Sequence, residues 1–118
     1  MMKLSLNSVM LAALLLFSTQ SFAKFTQIGI SSYYGPGFHG KKTSSGERFN
    51  MYGFTMAHRT IKNGKHVKVT NLKNGRSIVV KKNDSGPYVR GRVADLSLGA
   101  RNALKMGGLA LVKLEVLD

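Results

Sequence analysis

Carboxylate side chains are scarce in this sequence, and each one is therefore a candidate for chemistry. Against 18 lysines and arginines the chain has five acids, Glu47, Asp84, Asp95, Glu115 and Asp118. The last two lie in or after a predicted terminal strand. Glu47, Asp84 and Asp95 lie in or beside turn-forming stretches, and loops on a rigid scaffold commonly carry catalytic groups. A carboxyl group in such a loop can act as a general acid, for example on the bridging oxygen of a saccharide.

Each of these three acids also has a purely structural interpretation. Ser44-x-x-Glu47 fits a capping box, in which the glutamate closes the first turn of a helix. Asp84 is followed by Ser-Gly-Pro and fits a turn in which the carboxylate accepts backbone N–H groups. Asp95 fits a carboxylate stabilised by the macrodipole at a helix start. The sequence leaves both interpretations open for all three residues.

Histidine and the aromatic residues offer a second set of candidates. His58 follows a strand-like run and can orient a carboxylate, hold a sugar hydroxyl or shuttle a proton, unless it is a structural histidine. His39 and His66 have no companion at metal-ligand spacing, and the chain has no cysteine. We therefore predict no metal site and no cofactor. Aromatic residues near the predicted turns could stack on sugar rings or simply pack; they are Tyr33, Tyr34, Phe49, Tyr52 and Tyr88.

The segments that must position these residues are predicted to be short strands separated by turns. The clearest unit is a hairpin of residues 66–72 and 76–82, joined by the Asn74-Gly75 pair that is typical of a type I′ turn. Val67 and Val69 alternate with polar residues, which predicts one buried face and one face in water.

A single short helix is predicted after Ser97. Ser97 is its expected N-cap, and Gly107-Gly108 marks its expected end. Residues 109–117 then form a closing strand.

The first 23 residues are predicted to be a signal peptide. Lys3 precedes an apolar run at 9–17, and Ser21-Phe22-Ala23 offers small residues for cleavage. That run is shorter than the roughly 20 residues that span a bilayer. Residues 24–118 then form one domain. We expect an exported, soluble protein of the periplasm or medium, without stable membrane insertion.

The net charge predicts an anionic partner. The formal charge is +13, and a strongly basic balance is typical of proteins that bind polyanions. An export signal favours wall polymers, anionic lipid or acidic polysaccharide over nucleic acid. The alternatives are a solvated basic surface without a ligand, or an exported binder of nucleic acid or a host target with steep salt dependence.

The order of the motifs adds a resemblance that composition does not supply. Seven stretches resemble the rare lipoprotein A family in order and approximate spacing: 29–34 (GISSYY), 38–47 (FHGKKTSSGE), 54–60 (FTMAHRT), 67–71 (VKVTN), 74–77 (NGRS), 83–88 (NDSGPY) and 95–97 (DLS). Together they span nearly all of residues 24–118.

This resemblance implies both a fold and an activity. The fold is mainly β, a six-stranded double-psi β-barrel with one or two short helices, shared with expansins. The activity is that of an endolytic peptidoglycan lytic transglycosylase, which cuts between N-acetylmuramic acid and N-acetylglucosamine and leaves a 1,6-anhydro end. The alternative is a non-catalytic, expansin-like module that binds glycan.

The resemblance also implies roles for particular residues and a cellular setting. Asp84 is the expected acid–base, with Glu47 and His58 as supporting catalytic groups. The expected substrate-binding residues are Asp95, Asn50, Tyr34 and Tyr88. Peptidoglycan strands, and not nucleic acid, are the expected partner of a monomeric protein. The family's lipoprotein cysteine and C-terminal peptidoglycan-binding domain are missing, so we expect a free protein and not a tethered septal one.

Overall fold

Six short strands close into a barrel in the computed structural model, which describes residues 25–118. The strands are β1 Phe25–Tyr33, β2 Thr55–Ala57, β3 His66–Asn71, β4 Ser77–Asp84, β5 Arg92–Leu96 and β6 Ala110–Val116. A 3-10 turn at Pro36–Phe38 and one helix, α1, at Leu98–Ala103 complete the elements. The predicted six-stranded, mainly β barrel is confirmed. The predicted signal peptide, residues 1–23, lies outside the described residues.

The strand order around the barrel is β1-β5-β2-β4-β3-β6. The β1–β5 and β2–β4 pairs are parallel, and the other pairs are antiparallel. Each parallel pair contains a bulge: the register skips Val93 in β5 and Asn83 in β4. An extra residue interrupts the regular alternation of side chains, and both bulges lie shortly before a candidate acid. Within residues 25–118, no helix is long and apolar enough to cross a bilayer.

The core is aliphatic and comes from five of the strands and from α1. In β3, Val67 and Val69 are fully buried while Lys68 is exposed, which confirms the predicted two-faced strand. The other buried aliphatic side chains include Met56, Val80, Ala94, Leu96, Ala100, Leu104, Val112, Leu114 and Val116. This apolar centre supports the loops at the barrel ends.

The predicted hairpin is present, but its predicted turn type is wrong. Asn71 O accepts hydrogen bonds from Asn74 N and Gly75 N at 3.3 and 2.8 Å. Gly75 has φ 77°, but Asn74 is not among the non-glycine residues with positive φ in the described chain. A type I′ turn requires positive φ at both positions. The Asn71 and Asn74 amides each donate to Leu104 O at 3.0 Å and tie the turn to the end of α1.

Helix α1 begins as predicted and ends earlier than predicted. Ser97 is the N-cap, and its Oγ accepts a hydrogen bond from Ala100 N at 3.3 Å. The helix ends at Ala103, and Lys105 adopts φ 48°. That left-handed conformation is the one that glycine usually supplies after a helix. The chain therefore leaves the helix before the predicted Gly107-Gly108.

Gly99→Ala is expected to destabilise the barrel because α1 packs closely on the loop before β2. A Cβ at residue 99 would lie 2.5 Å from Tyr52 O and 2.9 Å from Gly53 O, which are backbone atoms that cannot rotate away. Alanine gains about 1 kcal/mol of helix propensity, and overpacking costs about 1–3 kcal/mol. We expect the free energy of unfolding in urea to fall by up to about 2 kcal/mol. Gly107→Ala, which meets open space, is the matched control, and equal losses would contradict this packing.

Candidate active site

A groove of about 350 Å³ lies beside the ends of β1 and β4 and along β5. Two predicted acids, Asp84 and Asp95, and two predicted tyrosines, Tyr34 and Tyr88, line it. The remaining lining residues are Ser32, Tyr33, Gly35, Phe38, Ser85, Gly86, Pro87, Val89 and Arg92. Two other cavities in the described part of the chain, of about 300 and 540 Å³, contain none of the predicted site residues. The groove is therefore the candidate active site.

Asp84 is held in one orientation by three hydrogen bonds. Its Oδ1 accepts from Ser44 N at 3.0 Å and from Ser85 N at 2.9 Å, and its Oδ2 accepts from Tyr34 Oη–H at 2.6 Å. Each carboxylate oxygen has two lone pairs, so Oδ2 keeps one free for a proton or a substrate group. The turn interpretation and the site interpretation of Asp84 therefore coexist: the backbone contacts fix the turn and also fix the acid.

Tyr34 is a rigid donor to Asp84. Its ring packs 4.5 Å from the buried Phe49 ring and 5.5 Å from Phe38, measured between centroids, and its backbone N–H donates to Leu96 O at 2.9 Å. Burial and the neighbouring Asp84 raise the pKa of Tyr34 above its ordinary value, because both disfavour the phenolate. The hydroxyl therefore stays protonated and donates a hydrogen bond to the carboxylate.

The loop at residues 42–48 supplies the Ser44 amide, and it is a turn and not a helix start. Lys42 and Arg48 form an isolated antiparallel bridge, and Gly46 has φ 87°. No helix begins between residues 39 and 97 of the described chain, so the capping-box interpretation is wrong. Ser85 Oγ donates to Ser44 Oγ at 3.1 Å, and Ser45 N donates to Asn83 O at 3.2 Å. These bonds fasten the loop to the end of β4.

Glu47 and Asn50 lie outside the groove. Glu47 is exposed, and its Oε2 accepts from Lys81 Nζ at 2.8 Å. This hydrogen bond to Lys81, together with the lysine's charge, lowers the pKa of Glu47, which is the wrong direction for a proton donor. Asn50 is also exposed, and its Oδ1 accepts from Tyr52 N at 3.0 Å.

The His58 side chain is buried and makes its contacts away from Asp84. It is 3% exposed, and its Nδ1 accepts from Thr60 N and Ile61 N, each at 3.1 Å. Nε2 lies 2.8 Å from Gln27 Oε1, so Nε2 carries the proton of a neutral ring. His58 reaches Asp84 through the backbone, where His58 N donates to Asp84 O at 3.0 Å. These contacts position the turn beside the acid.

His58 is expected to make stability fall between pH 6.5 and pH 4. Burial first, then the charges of Lys82 and Arg59, lowers the pKa of His58 from 6.5 to about 4. As pH falls through this window the unfolded histidine binds a proton and the folded one does not, so the free energy of unfolding drops by up to about 3 kcal/mol. His58→Asn keeps an acceptor near Nδ1 but cannot titrate. Urea unfolding at several pH values should show a free energy of unfolding that depends less on pH in the variant than in the parent. An equal dependence on pH would contradict the assignment.

Asp95 is the second acid of the groove. It lies in β5, and its Oδ1 accepts a hydrogen bond from Ser32 Oγ. The helix-start interpretation is wrong, because the N-cap is Ser97 and the first turn of α1 contains no acidic residue. Tyr88, on the loop after β4, is 77% exposed and lines the groove.

Sequence reasoning missed three contributors to this groove. Ser44 and Ser32 bind the two acids, through a backbone amide and a hydroxyl respectively. Arg92 lines the groove, but in the sequence it is only one of 18 lysines and arginines. Its position three residues before Asp95 predicts opposite faces of a regular strand, so no pattern in the sequence indicates that the two side chains share a groove.

Comparisons with known proteins agree with this architecture. A family model described as lytic transglycolase matches residues 26–116. The probable endolytic peptidoglycan transglycosylase RlpA of Synechocystis sp. is 49% identical over 104 residues, which are 86% of this chain and 32% of that protein. The endolytic peptidoglycan transglycosylase RlpA of Campylobacter jejuni is 51% identical over 94 residues, 78% of this chain and 34% of that protein. The chain thus spans about a third of the length of these curated relatives.

Two solved structures share the fold at low sequence identity. The Streptomyces papain inhibitor superposes with a TM-score of 0.62 at 19% identity, over 81% of this chain and 97% of that one. An expansin of Clavibacter michiganensis also gives a TM-score of 0.62, at 17% identity, over 80% of this chain and 51% of that one. The family match spans nearly the whole barrel. The chain therefore belongs to the lytic transglycolase family, the double-psi β-barrels related to rare lipoprotein A.

Proposed function

We propose that this protein is an endolytic lytic transglycosylase that cleaves peptidoglycan strands between N-acetylmuramic acid and N-acetylglucosamine. The observation that carries the proposal is the setting of Asp84. Its carboxylate is oriented by Tyr34 and two backbone amides and borders an open groove that Asp95 shares. The printed activity of the RlpA relatives supports the same chemistry.

Asp84 acts as both the acid and the base in this proposal. In its protonated form it donates the proton to the bridging oxygen, and the N-acetylglucosamine side leaves with a new hydroxyl group. The C6 hydroxyl oxygen of the muramic acid bonds to C1, and the Asp84 carboxylate accepts the hydroxyl proton. The carboxyl group is thereby regenerated, and no water is consumed. A hydrolase of the usual kind needs a second carboxylate to activate water or attack the sugar, whereas this reaction needs one.

The other groove residues stabilise this cycle. The Tyr34 hydroxyl orients the Asp84 carboxyl group through its hydrogen bond to Oδ2. Asp95 supplies negative charge beside the positive charge that develops on the sugar ring. The exposed Tyr88 ring provides a stacking face for a sugar.

Glu47 and His58 serve as positioning residues in the proposed mechanism. Glu47 O accepts from Thr43 N at 2.8 Å, and its side chain pairs with Lys81, so it stabilises the loop that presents Ser44. His58 holds the turn whose backbone binds Asp84 O. Asn50, which lies outside the groove, is proposed to contact the glycan strand beyond the cleaved bond.

The protein is proposed to act in the periplasm or medium as a monomer. The net charge of +13 would draw it to an anionic cell wall. Peptidoglycan strands, and not nucleic acid, are its proposed partner, and no stable membrane insertion is proposed after signal cleavage.

Mass spectrometry of soluble products tests this function. The chain without its predicted signal peptide is incubated with purified peptidoglycan, both intact and stripped of stem peptides. We expect fragments with anhydro ends from the parent protein and none from Asp84→Asn. If neither protein releases fragments and both sediment equally with the wall, the enzyme proposal fails and the expansin-like binding module takes its place.

A further inference from the structure

The groove contains a cation that neither the fold nor the proposed acid–base cycle uses. Arg92 is the one lysine or arginine among the groove-lining residues. Within residues 25–118 its side chain has no hydrogen-bond or ion-pair partner. The two acids bind other groups, because Asp84 is bound by Tyr34 and two amides and Asp95 by a serine. Arg92 is therefore available to a ligand.

A strand irregularity brings Arg92 to the groove. Residues 92 and 95 are three apart and would face opposite sides of a regular strand. The bulge at Val93 shifts the register, since Ile30 pairs with Arg92 and Ser31 with Ala94. Gly29 leaves room for it, because a Cβ there would lie 2.5 Å from Val93 Cγ1. A basic and an acidic side chain of β5 consequently line the same groove.

This arrangement suits a ligand that is itself charged. A half-buried guanidinium can form two parallel hydrogen bonds with a carboxylate, and such bonds are stronger than those between neutral groups. A neutral sugar offers hydroxyl and amide groups but no such partner. Asp84 and Asp95 repel an anion. The anionic group of a bound strand would therefore lie at Arg92, with the sugar ring beside Asp84.

We propose that Arg92 binds a carboxylate carried by the glycan strand and makes the groove selective for acidic strands over neutral ones. The proposal deepens the proposed function and, for cleavage, rests on it. Two sources can supply the carboxylate. One is the lactyl group of muramic acid, which is a free acid only where the stem peptide has been removed. The other is a carboxylate of the stem peptide itself.

Binding titrations in an Asp84→Asn background separate these sources without requiring turnover. Calorimetry compares three oligosaccharides of equal length: peptide-stripped peptidoglycan tetrasaccharide, the same tetrasaccharide with stem peptides, and neutral chitotetraose. Each is titrated into the Asp84→Asn protein and into the protein with Arg92→Gln, Arg92→Lys or Arg90→Gln added. Arg90→Gln is the matched control, because Arg90 is exposed on the neighbouring loop and does not line the groove.

We expect Arg92→Gln to weaken binding of an acidic tetrasaccharide by about 10-fold and to leave chitotetraose binding unchanged. Arg92→Lys should retain part of the affinity, because lysine keeps the charge but not the forked geometry. A loss confined to the stripped strand identifies the lactyl carboxylate, and a loss confined to the peptide-bearing strand identifies the peptide. Either outcome supports the proposal.

Three results would overturn it: equal effects of Arg92→Gln and Arg90→Gln, an equal loss for chitotetraose, or no binding of either acidic tetrasaccharide. Turnover of the same strands by proteins with Asp84 intact is measured separately. There Arg92→Gln should raise KM with kcat nearly unchanged, since the lost contact is made equally in ground and transition states. If the parent releases no product but Arg92 still governs binding, the proposed function fails and this inference stands.

Discussion

Asp84→Asn is expected to lower the rate of glycan cleavage by about 10²- to 10⁴-fold, the contribution typical of a positioned acid–base group. The amide cannot donate the acid proton at neutral pH or accept the proton of the attacking hydroxyl. Its oxygen can still accept the amides of Ser44 and Ser85, which now bind Oδ1 at 3.0 and 2.9 Å. The loop should therefore keep its shape. Release of anhydro-ended fragments over time measures the effect.

Asp118→Asn is the matched control for this experiment. Asp118 is a carboxylate of the same kind, but it is exposed and bonded to His66, away from the groove. We expect its variant to cleave glycan at the parent rate. If Asp84→Asn loses less than about 10-fold while Asp95→Asn abolishes cleavage, the acid–base is Asp95 and our assignment is wrong.

Leu114→Ala is expected to cause a large loss of stability and little loss of cleavage rate per folded molecule, the reverse of Asp84→Asn. Leu114 is fully buried in β6, where its Cα pairs with Gln27 and Val69 and its side chain belongs to the core. Removing a buried leucine costs about 2–5 kcal/mol, out of a total of about 5–15 kcal/mol for a typical domain. Urea unfolding measures the loss, and activity is compared where both proteins are folded.

Leu111→Ala tests whether burial causes that loss. Leu111 lies on the same strand but is 48% exposed, so its variant should stay within about 0.5 kcal/mol of the parent. Similar losses at the two positions would show that the β6 side chains do not pack as described.

Local patterns in the sequence predicted much of the fold. Val67 and Val69 alternate with polar residues and occupy the buried face of β3, because alternation depends only on neighbouring residues. Ser97 caps α1 as predicted, since an N-cap hydroxyl bonds within its own turn. The barrel itself was predicted from the ordered motifs, which carry more information than any one strand.

Features that depend on distant contacts were not predicted. The side-chain amide of Asn74, in the hairpin turn, donates to Leu104 O, 30 residues away. The burial of His58 and the pairing of Glu47 with Lys81, 34 residues away, depend on how strands meet in the barrel. The spacing of residues along the chain predicts neither the burial of His58 nor the pairing of Glu47 with Lys81.

The bulges explain why the candidate site was predicted only in part. Asp84 and Asp95 were singled out because acids are rare in this chain. The role of Arg92 depends on the extra residue Val93 in β5, and no sequence pattern here marks a bulge. The acids could be singled out because they are few, whereas Arg92 is one of 18 lysines and arginines.

Cleavage of peptide-stripped peptidoglycan in water labelled with heavy oxygen distinguishes the proposed acid–base cycle from hydrolysis. If Asp84 accepts the proton of the C6 hydroxyl group while the oxygen of that group attacks C1, the parent protein releases fragments with anhydro ends that contain no label. We expect this result, together with loss of the fragments in Asp84→Asn. Labelled reducing ends would contradict it, because they would show that water attacks C1 and that the groove hydrolyses the glycan.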